Sequence, residues 1–139
     1  MLLEQVEKDS KNIVFIYTTC SSRDEAREIG ISAINEKLAI SADYWFVNSI
    51  YPWKGVLQES DQCILMLSTQ KDLSEKLIKH IETMHSYSVP VIFRTDTSMT
   101  NHLYSSWVES TLESKEPYIT EEEAMIKNQQ EEFHYSRLK

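Results

Sequence analysis

The fold is decided by the stretch Ser49-Ile50-Tyr51-Pro52-Trp53-Lys54-Gly55, which joins two runs rich in aromatic and β-branched residues. The first run extends from Tyr44 to Ile50 and the second from Val56 to Leu67. Two such runs around a short segment that contains Pro and Gly indicate a β-hairpin. Pro52 fixes its own φ and Gly55 can adopt a positive φ, so Pro-Trp-Lys-Gly is predicted as the turn, with its tryptophan at the tip.

Two aromatic side chains, Tyr51 and Trp53, lie at this end of the hairpin. Aromatic residues more often pack at the end of a core or in a subunit contact than bind a ligand. The other interpretation is that they form the wall of a ligand site. The residues alone leave both interpretations open.

A strand and a helix are predicted before the hairpin. Ile13 to Tyr17 is an unbroken apolar run, which favours a strand buried on both faces. Ser22 and Glu25 form a capping box that starts a helix. Gly30 lies inside that helix and costs about 0.5–1 kcal/mol relative to alanine, so it is either closely packed or tolerated.

Two more helices and a strand are predicted after the hairpin. The second helix opens at Thr69 or Lys71-Asp72 and ends before Pro90, with an apolar stripe at Leu73, Leu77, Ile81 and Met84. The segment 91–93 is a short fourth strand. Asp96-Thr97-Ser98 offers caps for a third helix whose apolar residues are Leu103, Tyr104, Trp107, Val108 and Leu112.

The predicted order is strand, helix, strand, strand, helix, strand and an extra helix. This order is typical of the split βαβ, ferredoxin-like α+β fold (βαββαβ plus a C-terminal helix), in which an antiparallel sheet carries its helices on one face. The other face of the sheet is then uncovered, which favours a closed homo-oligomer. We expect one domain over residues 1–112. Residues 113–139 form a C-terminal extension, partly helical or flexible, with a capping box at Thr120 and Glu123 and apolar residues at Met125, Ile126, Phe133 and Tyr135.

Composition excludes several classes of protein. The 139 residues carry a net charge of −8 and no Lys/Arg cluster longer than two residues, so a nucleic-acid partner is not expected. No apolar run approaches the roughly 20 residues that span a bilayer, and the first residues lack the pattern of a signal peptide, so we expect a cytoplasmic protein without a membrane partner. Cys20 and Cys63 are expected to be free thiols in a reducing compartment.

The sequence contains none of the common catalytic motifs. With only two glycines there is no dinucleotide fingerprint or P-loop, and no Gly-x-Ser-x-Gly or His-Glu-x-x-His is present. Sequence distance does not exclude a Cys-His pair such as Cys20 with His85, but only the residue types support one. We therefore expect no enzymatic activity and no organic cofactor.

Candidate metal ligands lie at the end of the second predicted helix. His80 and Met84 are four residues apart and can share one face, as an imidazole-thioether pair for Cu(I), and His85 follows directly. For His80 the alternative is a solvated position on the helix surface. For His85 the alternative is a helix-terminal histidine bonded to backbone carbonyls. Cys20 can add a thiolate if a neighbouring base lowers its pKa, and the alternative is a plain free thiol.

Several motifs in order resemble the CutA divalent-cation tolerance family. They are Glu36-Lys37-Leu38-Ala39, the stretch from Ser49 to Gly55, His85-Ser86-Tyr87-Ser88-Val89-Pro90, and Tyr104-x-x-Trp107. The resemblance covers Asn12 to Leu112. It implies a ferredoxin-like subunit, a homotrimer, a cytoplasmic location, and a role in tolerance of, or response to, copper or another divalent metal through weak binding. It also places Tyr51, Trp53, Asp61, His85 and Tyr87 around a cleft between subunits. Lys54, next to Trp53, is a further candidate for this ligand cleft, and His85 is also the candidate metal ligand named above.

The chain departs from the family pattern at polar positions. Ser41 stands where the family usually has a cysteine proposed to bind copper, and a hydroxyl is a far poorer ligand for soft metals. The segment from His85 to Val91 keeps the histidine, the tyrosine and the proline but lacks both carboxylates of the family motif. The alternatives to a metal role are a small-molecule sensing module like the PII signalling proteins, with altered or lost metal binding, and an interaction scaffold that depends on the tail.

Overall fold

The computed structural model describes the backbone of residues 2–138 and the side chains of that range except those of residues 7 and 132–138. The elements follow in the order α1 (Leu2–Ser10), β1 (Ile13–Cys20), α2 (Arg23–Asn35), β2 (Ser41–Trp53), β3 (Val56–Gln70), a 3₁₀ turn (Lys71–Leu73), α3 (Ser74–Met84), β4 (Ile92–Asp96), α4 (His102–Glu113) and α5 (Glu121–Leu138). None of the helices in this range is both long enough and apolar enough to cross a membrane.

The four strands form one sheet in the order β2-β3-β1-β4, and each neighbouring pair is antiparallel. β1 therefore lies in the interior of the sheet, with Ile16 opposite Leu67 of β3 and opposite Arg94 of β4. Together with the helices this is the ferredoxin-like arrangement that the sequence predicts. β1 and β3 continue past their apolar runs into polar residues, Thr18-Thr19 in β1 and Ser68-Thr69-Gln70 in β3.

The main core lies between one face of the sheet and the helices α2 and α3. Alternate residues of β1 and β3 are buried here against the apolar stripes of the two helices, and the fully buried members include Val14, Ile16, Leu65, Leu67, Ile29, Leu77 and Ile81. A side chain is buried here at every second strand position, as expected for a sheet covered on one face.

Gly30 is the point of closest approach between α2 and the sheet. A Cβ atom at this position would lie 3.0 Å from the Cβ of Ala42 and 3.7 Å from Cδ1 of Leu65. Close packing, and not mere tolerance, therefore accounts for a glycine inside this helix.

The opposite face of the sheet is apolar and largely uncovered. Tyr17 and Phe93 stack across β1 and β4 with ring centroids 5.0 Å apart, and Phe93 remains 51% exposed. Trp45 on β2 is 42% exposed. At one end of the sheet, α4 packs through Val108 against Ile13 in a second, smaller cluster. The bare face that the sequence predicts is present in the single chain.

The hairpin is confirmed, but the predicted turn is wrong. β2 continues through Pro52 to Trp53, which pairs with Val56, so the tryptophan ends a strand and is not at the tip. The turn consists of Lys54 and Gly55, with φ values of 49° and 79°. Two positive φ values belong to the type I′ turn, which matches the twist of a two-residue hairpin.

Other predicted boundaries also change. The cap predicted at Asp96-Thr97-Ser98 is wrong, because α4 begins at His102 after Asn101, while the Thr97 hydroxyl donates to the backbone carbonyl of Ile13 at 2.6 Å. Thr69 belongs to β3, and the second predicted helix opens through the 3₁₀ turn at Lys71.

Both ends of the chain carry helices. α1 has no counterpart in the sequence-based prediction. The capping bond predicted for α5 is present, since the amide of Glu123 donates to Thr120 Oγ1 at 3.1 Å. Met125 and Ile126 are exposed on this helix, whereas the side chains of Phe133 and Tyr135 lie outside the described residues.

Candidate metal cluster and adjoining cleft

Three potential metal ligands converge where β1 ends, α2 begins and α3 ends. Cys20 is the last residue of β1, Glu25 lies in the first turn of α2, and His85 directly follows α3. The Cys20 thiol, a carboxylate oxygen of Glu25 and a ring nitrogen of His85 all lie within 4.8 Å of one another. Cys20 is buried, and the other two residues are half-buried. We call these three residues the metal cluster.

The carboxylate of Glu25 is held by backbone amides on both sides. Oε1 accepts from the amide of Ser21 at 2.9 Å, and Oε2 accepts from the amide of Ser86 at 3.0 Å. The amide of Glu25 itself donates to Ser22 Oγ at 3.1 Å. The predicted capping bond from Ser22 is thus confirmed, but the carboxylate reaches Ser21 and the segment after α3 instead of closing on the amide of Ser22.

These bonds lower the pKa of Glu25. Partial burial alone raises the pKa, but hydrogen bonds from Ser86 and Ser21 and the nearby His85 outweigh it. A carboxylate whose charged form accepts several hydrogen bonds is stabilised in that form. Glu25 is therefore ionised at neutral pH and supplies negative charge to the cluster.

Substitution of Glu25 by glutamine is expected to lower the melting temperature of the metal-free protein at pH 7. A carboxylate with a lowered native pKa stabilises the fold above its ordinary pKa of 4.5, and that contribution disappears as the pH falls through the native value. The difference between wild type and variant should therefore narrow below about pH 4.5. Thermal unfolding followed by circular dichroism across this range checks both points, with the exposed Glu28→Gln as the control. A difference that stays constant with pH would contradict the role assigned to the charge.

His85 has both ring nitrogens engaged. Nε2 lies 3.0 Å from the backbone carbonyl of Thr19, and Nδ1 lies 3.1 Å from the amide of Tyr87. A carbonyl can only accept and an amide N–H can only donate, so the proton is on Nε2 and the lone pair is on Nδ1. A histidine ligand whose other nitrogen donates to a backbone carbonyl is the usual arrangement in metal sites.

Cys20 is a buried, protonated thiol. Burial raises its pKa to about 12, with further contributions from the Glu25 carboxylate and from Cys63, which faces it across β1 and β3. Both cysteines are free. A catalytic cysteine needs a lowered pKa and access to substrate, so proximity to His85 does not make Cys20 an activated nucleophile here.

A cleft of about 660 Å³ adjoins the metal cluster. Its wall includes three aromatic side chains that the sequence analysis named, Tyr51, Trp53 and Tyr87, and it continues with Thr19, Ser49, Ile50, Gln62, Ser86, Ser88, Val89 and Val91. The Tyr87 hydroxyl donates to Oε1 of Gln62 at 3.0 Å. Burial, then the neighbouring Tyr51, raises the pKa of Tyr87, so its hydroxyl keeps the proton for this bond.

The remaining predicted site residues lie apart from the wall of this cleft. Lys54 lies in the hairpin turn, with Nζ 5.8 Å from the centroid of the Trp53 ring. Asp61 is exposed on β3, opposite Asn48. His80 contacts Ser32 of α2, with 2.9 Å between Nε2 and Oγ, whereas Met84 packs against the main core.

Glu25 and Gln62 also lie in the candidate site, although the sequence does not predict them there. The sequence predicts Glu25 only as a helix cap, because its second partner, Ser86, is 61 residues away and leaves no local signal. Gln62 lies beside Asp61 on a strand, where alternation puts neighbouring side chains on opposite faces. Its burial is the feature that identifies it.

Residues 14–111 match the family described as CutA1 divalent ion tolerance protein. The chain is 29% identical over 96 residues to the divalent-cation tolerance protein CutA of Pyrococcus horikoshii, which covers 69% of this chain and 94% of that protein. It is 29% identical over 105 residues to the human protein CutA, covering 75% of this chain and 59% of the relative. A chloroplastic CutA of Arabidopsis thaliana is 26% identical over 110 residues. The chain thus spans about three fifths of the length of the human and plant relatives that it matches.

Solved structures agree with the sequence match. The CutA1 crystal structure from Pyrococcus horikoshii superposes with a TM-score of 0.70 at 27% identity, covering 73% of this chain and 99% of that one. The divalent ion tolerance protein CutA1 from Ehrlichia chaffeensis gives 0.71 at 26%, covering 74% and 97%. A family match over more than half of the chain and the same ferredoxin-like fold lead to one conclusion: the chain belongs to the CutA1 divalent ion tolerance family.

Proposed function

We propose that this protein acts in divalent metal tolerance or response by weak, non-catalytic binding of a metal ion. The observation that supports this most directly is the approach of Cys20, Glu25 and His85 to within 4.8 Å of one another. Of the residues named from the sequence, His85 belongs to this cluster, while His80 and Met84 form a second candidate pair on α3. Family membership supports the metal role independently.

The three side chains fit a transition metal by type and spacing. Thiolate, imidazole and carboxylate are the ligands that proteins use for zinc, and thiolate and imidazole also suit copper. Donors around a tetrahedral ion lie about 3.5 Å apart, given metal–ligand distances of about 2.0–2.3 Å. Separations of up to 4.8 Å must therefore shorten by up to about an ångström for a tetrahedral ion, and Cys20 must lose its proton. Both costs lower the affinity, which is consistent with a responsive rather than a structural site.

The assembly that we propose is a homotrimer in the cytoplasm. Its support is the uncovered apolar sheet face around Phe93 and Trp45, a surface that a single chain leaves in water. Copies of the same chain related by rotation can cover it in a closed ring. Two buried free thiols suit a reducing compartment.

Calorimetric titration of the metal-free protein with Zn(II), and anaerobically with Cu(I), tests the metal role. We expect stoichiometric binding that His85→Ala weakens about tenfold or more. Mutation of residues that only support a metal ligand lowers the metal affinity about 10–100-fold, and removal of the ligand should have at least that effect. His102→Ala is the matched control, since His102 is an exposed histidine that contacts only Ser106 of its own helix among the described contacts. His80→Ala and Met84→Leu test the pair on α3. A folded wild-type protein that binds neither metal would overturn the proposal.

A second candidate function is a small-molecule sensing module of the PII kind. The volume of the cleft and its wall of three aromatic rings and neutral polar groups favour it. A thermal shift with nucleotides or organic acids and indifference to metals would support this function over the first.

A further inference from the structure

The segment from His85 to Ser88, which we call the clamp, belongs to both the metal cluster and the cleft. Its residues Ser86, Tyr87 and Ser88 line the cleft, whereas His85 is a cluster member. Hydrogen bonds to Thr19, Glu25 and Gln62 hold it in place. The amide of Ser86 donates to Glu25, the amide of Tyr87 to His85 Nδ1, and the Tyr87 hydroxyl to Gln62.

His85 cannot coordinate a metal without losing one of its present bonds. Coordination through Nδ1 displaces the amide of Tyr87, and coordination through Nε2 displaces the proton given to Thr19. A neutral imidazole has one lone pair and one proton, so no third site remains. Glu25 differs, because a carboxylate has about four lone-pair sites and can keep its amide bonds while it coordinates.

Both residues that form hydrogen bonds with the His85 ring line the cleft. Thr19 and Tyr87 belong to its wall, so a change at either ring nitrogen reaches the cleft directly. The Tyr87 ring also contacts the imidazole, with centroids 4.9 Å apart. Coordination through either ring nitrogen therefore changes a hydrogen bond to a residue of the cleft wall.

On the basis of the proposed metal role, we propose that metal binding by His85 competes with the hydrogen bonds that hold the clamp in its present, closed position. The metal cluster and the cleft are thereby coupled. The closed clamp lowers the metal affinity, and a bound metal frees the clamp and remodels the cleft. Coupling between two sites is reciprocal. A molecule that binds in the cleft and holds Tyr87 against Gln62 therefore also weakens metal binding.

Titration of Zn(II) into the full chain and its Tyr87→Phe variant tests this coupling. The variant lacks the hydroxyl that bonds Gln62, so the clamp opens more easily and the zinc affinity should rise about two- to tenfold, the range of one net hydrogen bond. Tyr44→Phe is the matched control, because it removes the same atom from an exposed tyrosine of β2 that belongs neither to the cleft wall nor to the metal cluster. Its affinity should equal that of wild type.

Hydrogen exchange of the wild-type protein gives a second, independent readout. We expect zinc to accelerate exchange in peptides that span residues 85–91, because at least one clamp bond is released. Zinc binding that depends on His85, with unchanged exchange and no gain in Tyr87→Phe, would overturn the coupling and leave the metal role standing. No zinc binding by the folded wild type would overturn both.

Discussion

Replacement of Cys20 by serine is expected to weaken zinc binding by about a hundredfold or more. The thiolate is the softest donor of the cluster, and serine keeps the size of the side chain while replacing sulfur with a poor ligand. Loss of an outer-shell partner of a metal ligand lowers the metal affinity about 10–100-fold. Loss of a ligand itself should therefore lower the affinity by about a hundredfold or more. Cys63→Ser is the matched control, because Cys63 is also buried and free but lies outside the three-residue cluster.

The same substitution is expected to change how zinc affinity depends on pH. The Cys20 thiol has a pKa of about 12, so zinc must displace its proton at any neutral pH. The wild-type affinity should then rise about tenfold for each pH unit through this proton alone, since metal binding releases it. Cys20→Ser should lose this contribution to the slope.

Competition with a chromophoric chelator at several pH values measures both the affinity and the slope. If Cys20→Ser bound zinc as tightly as the wild type, Cys20 would not be a zinc ligand. An equal affinity together with a persistent effect of His85→Ala would transfer the metal role to a different set of ligands around His85.

The sequence predicts the sheet well because its signals are local. Ile13 to Tyr17 is apolar without interruption, and it forms part of the interior strand β1, where both neighbours cover the backbone. The turn of the hairpin was less predictable. Pro52 favours a turn by its φ, but β2 is an edge strand, and an edge strand tolerates a proline that cannot donate to a neighbour. The strand therefore continues past Pro52, and the turn moves to Lys54 and Gly55.

The site was less predictable than the fold because its members meet only through the topology. Cys20 and His85 are 65 residues apart, and nothing near either of them indicates the other. The antiparallel pairing of β1 with β3 and the packing of α3 on the sheet bring the end of β1 to the end of α3. Periodicity predicts that His80 and Met84 share one helix face, and in the structure Met84 packs on the core while His80 contacts Ser32.

Substitution of Phe93 by aspartate is expected to separate the proposed homotrimer, with a mass of about three times 16.3 kDa, into single chains. Phe93 lies on the uncovered sheet face, stacked on Tyr17 and 51% exposed in the isolated chain. In a trimer that buries this face, an unpaired carboxylate would be transferred from water into an apolar contact, which is strongly unfavourable. The single chain tolerates the same charge because the position is open to water.

Size-exclusion chromatography with light scattering measures the effect, and Leu3→Asp is the control. Leu3 is an apolar residue of α1 that is 77% exposed, so it receives the same charge at a position outside the sheet. Its mass should remain that of wild type. Far-ultraviolet circular dichroism shows whether Phe93→Asp stays folded, and the milder Phe93→Ala should weaken the assembly less. A folded Phe93→Asp that keeps the wild-type mass, or a wild type that is itself a single chain, would show that the uncovered face serves some contact other than a homotrimer.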